Sequence, residues 1–159
     1  MIAIGSDHGG FELKRVICEH LRGRGTQLVD CGCSDTTAVD YPDIAREVAV
    51  RVSSGDAECG ILICTSGVGM SIVANKYSGV RAALIHEVTS ARLCRQHNDA
   101  NVLALGGGFI GPNLAREIVD VFLSTGFDGG RHARRVEKIA GVEADASARR
   151  TAMPTKDEK

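Results

Sequence analysis

Short apolar runs alternate with stretches in which apolar residues recur every three or four positions, and the alternation begins at the first residue. Met1 to Ser6 reads as a strand. After Gly9 and Gly10, Leu13, Ile17 and Leu21 share one helical face, and Gly23 and Gly25 end that helix. A second strand is expected over Gln27 to Asp30. Beyond a polar loop, Ile44, Val48 and Val52 give a helix that starts just after Pro42 and is closed by Gly55. Ile61 to Cys64 is apolar without polar alternation, as expected of a parallel strand buried on both faces. A strand near Val80 to Ile85, a helix from Val88 to about Gln96, a strand over Asn101 to Leu105 and a helix carrying Leu114, Ile118 and Val121 complete five β/α units.

Repeated units of this length imply right-handed crossovers and a parallel sheet covered on both sides. The expected fold class is therefore α/β: a Rossmann-like three-layer α/β/α sandwich around a five-stranded parallel sheet, in strand order 2-1-3-4-5. Residues 1–143 form one domain, with a last helix over Arg131 to Ala140. From 144 to 159 the chain turns polar and ends in TKDEK, which reads as a disordered tail.

Composition narrows the class of function. At 159 residues and 43% hydrophobic content, one continuous core is the expectation. With 19 basic and 20 acidic side chains the formal charge is -1, so no general field favours nucleic acid or an anionic membrane, and an anion must be met locally. No apolar run approaches the roughly 20 residues that span a bilayer, and no signal peptide is evident. A cytoplasmic protein with free thiols is expected.

In open α/β sheets ligands bind at the carboxyl ends of strands, where strand order reverses. Here that crevice lies between strands 1 and 3, whose ends carry Asp7-His8-Gly9-Gly10 and Cys64-Thr65-Ser66-Gly67-Val68-Gly69. Gly67 and Gly69 allow close backbone approach, and a helix opening near Met70 and Ser71 aims unpaired N–H groups at the same space, so an oxyanion or phosphate suits it. The GK[ST] ending of a nucleotide loop is missing. A cysteine on a buried strand is most often a small core residue. At a strand end facing a helix N-terminus, however, Cys64 suits a base or a nucleophile. Cys18, Cys31, Cys33, Cys59 and Cys94 read as packing; Cys31 and Cys33 would need two further ligands to hold zinc. His97 and Asn98 end the fourth helix, at the amino ends of the strands, so a catalytic His97 must serve another chain, in a two-fold dimer. Arg131, Arg134 and Arg135 form an arginine cluster that is either a solvated face or a phosphate clamp.

GSDHGG, ILICTSGVGMSIVANK, RQHNDANVLALGG and GGRHARRVEKI, in this order over roughly residues 1 to 140, resemble the type B ribose-5-phosphate isomerases within the ribose/galactose phosphate isomerase family, in its branch with a cysteine base. The resemblance implies interconversion of ribose 5-phosphate and ribulose 5-phosphate through an enediolate, without metal or organic cofactor, in a homodimer with shared sites, possibly paired into a dimer of dimers. Cys64 would be the base and Ser66 would handle the sugar oxygens in place of a family threonine. Gly67, Gly69 and neighbouring N–H groups would hold the oxyanion. His97 of the partner subunit would help open the ring. Asp7 and Asn98 would bind sugar oxygens, and His8, Arg131 and Arg135 would bind phosphate. Two departures stand out: the family commonly reads CGTG where this chain has Cys64-Thr65-Ser66-Gly67, and often carries arginine where this chain has Gly108. They leave open a four-carbon or six-carbon sugar phosphate as substrate. A non-catalytic sugar-phosphate-binding regulator is the alternative from another class.

Overall fold

The computed structural model describes residues 1–152, with side chains placed as far as residue 145. Five parallel strands, β1 (Ile2–Ser6), β2 (Leu28–Asp30), β3 (Cys59–Cys64), β4 (Ala82–Leu84) and β5 (Val102–Gly106), form one sheet. The helices are α1 (Phe11–Gly23), α2 (Tyr41–Ser54), α3 (Val68–Ala74), α4 (Val88–Asn98), α5 (Pro112–Ser124) and α6 (Arg131–Ala152). Both faces of the sheet are covered. On one, Ile4, Ile61, Ile63, Leu103 and Leu105 pack against Ile17 of α1, Ala91 of α4 and Ile118 and Phe122 of α5. On the other, Ala3, Leu62, Cys64 and Ala104 pack against Val48 of α2 and Met70 of α3. The alternation of the two sets along each strand is the period of two that a sheet imposes.

The α/β sandwich agrees with the expected class, but the strand order is β2-β1-β3-β5-β4, not 2-1-3-4-5. Burial explains the exchange. All five residues of β5 are buried, whereas the three of β4 are half-buried or exposed, so β5 takes the interior place beside β3 and β4 takes the edge. With right-handed crossovers, the helices that follow β1 and β5 then lie on one face and the helix that follows β3 on the other. The crevice at the strand carboxyl ends consequently flanks β3 on both sides.

The last helix also differs from expectation. It runs unbroken from Arg131 through Ala152, so the segment expected to be a disordered tail from 144 is helical that far, and its remainder lies outside the described residues. Glu143 ties α6 to the body by accepting hydrogen bonds from Ser78 Oγ at 3.1 Å and the Gly79 N–H at 3.0 Å. Among the described residues no helix is long and apolar enough to cross a membrane.

Candidate active site

Three connections meet where β1, β3 and β5 end. After β1, Asp7 accepts a hydrogen bond from the Gly10 N–H on Oδ1 at 3.0 Å, closing a single turn that opens α1. Gly10 is pressed so closely onto the Ile63 carbonyl that any Cβ there would overlap it. After β3, the chain turns through Gly67, whose φ of 78° is left-handed and whose missing Cβ would lie 2.9 Å from the carbonyl carbon of Leu105. After β5, the N–H groups of Gly107 and Gly108 donate to the carbonyls of Cys64 and Thr65 at 2.8 and 2.9 Å, carrying the β3–β5 ladder past the strands themselves.

Cys64 stands at the centre of this arrangement. Its side chain is 5% exposed and belongs to the core layer under α2 and α3, as a structural cysteine would. Its sulfur, however, accepts the Gly67 N–H at 3.0 Å and borders a cleft of about 450 Å3 with Asp7, Thr65, Ser66, Val68 and Gly69. Asp7 is 7% exposed. The first turn of α3 offers donors to this space. Its backbone bonding begins with the Ser71 N–H to the Gly67 carbonyl at 3.1 Å, and among the described residues the N–H groups of Gly69 and Met70 have no acceptor. A thiol, a carboxylate and a helix N-terminus in one cleft can move a proton and hold the oxyanion it leaves behind.

The other thiols differ. Burial pushes Cys59 and Cys94 up to about 11 and raises Cys18 and Cys31, so these four stay protonated near neutral pH and serve packing. Cys33 lies 3.8 Å from Ser6 Oγ, and all six cysteines are free.

The structure separates the remaining candidates. Val68, Gly69 and Ser66 border the cleft with Thr65, while the Met70 side chain is fully buried in the core and Ser71 Oγ donates to the Val68 carbonyl at 2.8 Å. His8 is exposed and its Nδ1 accepts the Val39 N–H at 3.3 Å, which ties the loop after β2 to the turn after β1. His97 and Asn98 lie at the end of α4, at the amino edge of β5, about 16 Å along the strands from the Cys64 end. Asn98 lines a separate cavity of about 500 Å3 with Arg81, Ile139 and Val142. His97 stacks parallel on His132, ring centroids 4.3 Å apart, next to the exposed Arg131 and Arg135. Within one chain, His97, Asn98, Arg131 and Arg135 are not brought to Cys64.

The two departures from the family pattern meet in space. Thr65 Oγ1 is pressed against Gly9, and Thr65 Cγ2 lies 3.2 Å from where a Cβ on Gly108 would be. Threonine at 65 therefore calls for a very small residue at 108. Sequence reasoning missed Tyr41, which opens α2 and borders the cleft. Its ring carbon Cε2 is 2.5 Å from where a Gly69 Cβ would be, so Gly69 makes room for an aromatic wall. The available signal was that every helix following a strand in this fold opens at the carboxyl edge.

A doubly covered parallel sheet with a thiol, a carboxylate and a glycine-rich anion loop at its carboxyl edge defines an enzyme that acts on small anionic substrates. The profile of the Ribose/Galactose Isomerase family matches residues 2–139, and the chain belongs to that family and is an isomerase. It is 49% identical over 142 residues to ribose-5-phosphate isomerase B of Escherichia coli (strain K12), covering 89% of this chain and 95% of that protein. The structure of Clostridium thermocellum ribose-5-phosphate isomerase B superposes with a TM-score of 0.90 at 50% identity, over 91% of this chain and 98% of that one. That of the Mycoplasma genitalium enzyme with bound ribulose-5-phosphate gives 0.87 at 45% identity, over 91% and 96%.

Proposed function

We propose that this chain interconverts ribose 5-phosphate and ribulose 5-phosphate through an enediolate, with Cys64 as the base. The observation that carries the reading is the Cys64 sulfur held by the Gly67 N–H at 3.0 Å at the edge of a cleft, in a chain of the Ribose/Galactose Isomerase family. The thiolate removes the proton from carbon 2 of the open-chain aldose and returns it to carbon 1. Ser66 passes the hydroxyl proton between the two oxygens. The N–H groups of Gly69 and Met70 stabilise the oxyanion that forms in between, and Asp7 orients a sugar hydroxyl.

His97, Asn98, Arg131 and Arg135 take part from a second copy of the chain, the two sites being shared across a two-fold interface. Two observations support this. The four residues sit at the opposite edge of the sheet from Cys64, and the cleft is rimmed by the exposed apolar side chains Val68 and Ile72, suited to contact with a partner. The phosphate lies between His8 and the partner's arginines. Free thiols fit a cytoplasmic setting.

A second reading keeps the chemistry and changes the sugar. Thr65 narrows the cleft beside the base, and Gly108 lacks the arginine common in the family, which together favour a phosphosugar of another length. Incubating the protein in deuterated water with four-, five- and six-carbon phosphosugars separates the readings. Solvent deuterium entering ribulose 5-phosphate formed from ribose 5-phosphate is expected. Turnover of another sugar in the absence of ribose 5-phosphate turnover would replace the first reading with the second.

A further inference from the structure

His86 lies just beyond β4 and was not singled out by its sequence context. Its imidazole packs edge-on against Phe109, ring centroids 5.4 Å apart. Among the described residues, its Nε2 is the buried side-chain nitrogen or oxygen without a hydrogen-bond partner. Buried polar atoms are rarely left so, and the exceptions call for a reason.

The register of the sheet shows what Nε2 faces. Cys64 is paired with Gly106 on β5, and Leu84 of β4 is paired with Ala104. The chain leaves β4 after Leu84 and brings His86 over Gly106, the residue paired with Cys64 on the neighbouring strand. Gly106 has no side chain. Where its Cβ would be, His86 Nε2 is 2.6 Å away on one side and the Ser66 carbonyl oxygen is 2.8 Å away on another. Imidazole nitrogen and carbonyl oxygen thus border the same gap over Gly106 without being hydrogen-bonded, and a bond between them requires the ring to turn toward the carbonyl.

The carbonyl in question belongs to the peptide unit that serves Cys64. Ser66 contributes its C=O and Gly67 its N–H, and that N–H is the group donating to the Cys64 sulfur at 3.0 Å. A donor on the oxygen of an amide polarises its N–H and strengthens the bond made at the other end. We propose that His86 is a positioning residue for Cys64: its Nε2–H donates to the Ser66 carbonyl, aligning and polarising the Ser66–Gly67 peptide so that its N–H holds the sulfur as thiolate. Gly106 is the residue that lets the imidazole reach across β5. The inference rests on Cys64 being the base, and the other titratable groups on the cleft that Cys64 borders are Asp7 and Tyr41.

The test is alkylation of Cys64 by iodoacetamide in the full-length protein, followed by mass spectrometry of the Cys64 peptide for wild type, His86→Ala and His86→Gln. Glutamine places an amide N–H near the position of Nε2. At pH 7, His86→Ala is expected to react about fivefold more slowly than wild type, with His86→Gln recovering most of the difference, and all three rates converging at a pH high enough to ionise Cys64 in each. In turnover assays the alanine variant should lose kcat with KM nearly unchanged. Equal pH 7 rates for wild type and His86→Ala, or for His86→Ala and His86→Gln, overturn the proposal. If the alkylation pattern holds while ribose 5-phosphate is not turned over, His86 keeps its role and the assigned substrate falls. If turnover is normal and the pattern is flat, His86 falls and the reaction stands.

Discussion

The two edges of the sheet carry chemically different sets of side chains. The carboxyl edge holds Cys64, Asp7, Ser66 and the opening turn of α3, a thiol, a carboxylate and a helix N-terminus, with no cation among the described residues on the cleft. The amino edge holds His97 stacked on His132, with the exposed guanidinium groups of Arg131 and Arg135 beside them. A buried strand of five residues separates the two, and no rotamer change spans it. In the proposed reading, the amino edge of one chain meets the carboxyl edge of another.

The largest effect expected from breaking this arrangement is at the base. Cys64→Ala should lower turnover roughly 10³-fold while leaving the far-ultraviolet circular dichroism and the thermal midpoint nearly unchanged, because the small buried side chain is replaced by one that fits. Next comes sharing. Mixing inactive Cys64→Ala with inactive His97→Gln under subunit exchange should restore about a quarter of the wild-type sites if each site draws on two chains. Activity that stays at the level of the separate variants would mean that each chain works alone.

A smaller effect is expected on the loop that joins the base to its cradle. Gly67→Ala places a Cβ against the Leu105 backbone at positive φ and should cost about 2 kcal/mol in urea denaturation. The smallest concerns the amino edge. His132 is 8% exposed, and burial, followed by His97, Arg131 and Arg135, holds its pKa below a histidine's ordinary 6.5, with Asp128 opposing. The unfolded chain therefore binds this proton more readily than the folded one. The contribution of His132 to stability is then complete above pH 6.5 and declines as pH falls below it toward the lower folded value. Proton NMR should show the His132 titration midpoint below 6.5 in wild type and higher in His97→Ala.

Much of this organisation could be read along the chain. The periodicity of Leu13, Ile17 and Leu21, the unbroken apolar run into Cys64 and the helix-ending Gly55 are local signals, and the corresponding elements are present. The position of Cys64 beside Asp7 follows from the general rule for parallel sheets, and the opposite placement of His97 follows from its place before β5 rather than after it. What escaped was sideways information. Val102–Gly106 displaces Ala82–Leu84 from the interior because it has more to bury, a competition between segments that neither reveals alone. The contact of Thr65 with Gly108 depends on that order, and the wall that Tyr41 makes over Gly69 and the reach of His86 across Gly106 likewise join residues distant along the chain.

The sequence by itself thus determined the α/β class, the succession of the five β/α units and the placement of Cys64 at the carboxyl end of a buried strand, because each is encoded in periodicities and turn residues a few positions apart. Only the tertiary structure decided which strand adjoins Cys64, how Thr65 and Gly108 share one space, that the chain stays helical through Ala152, and that His86 faces the peptide holding the sulfur. Those features arise from residues distant along the chain that meet when the sheet assembles. Their placement depends on which segments win burial, a property of the whole core.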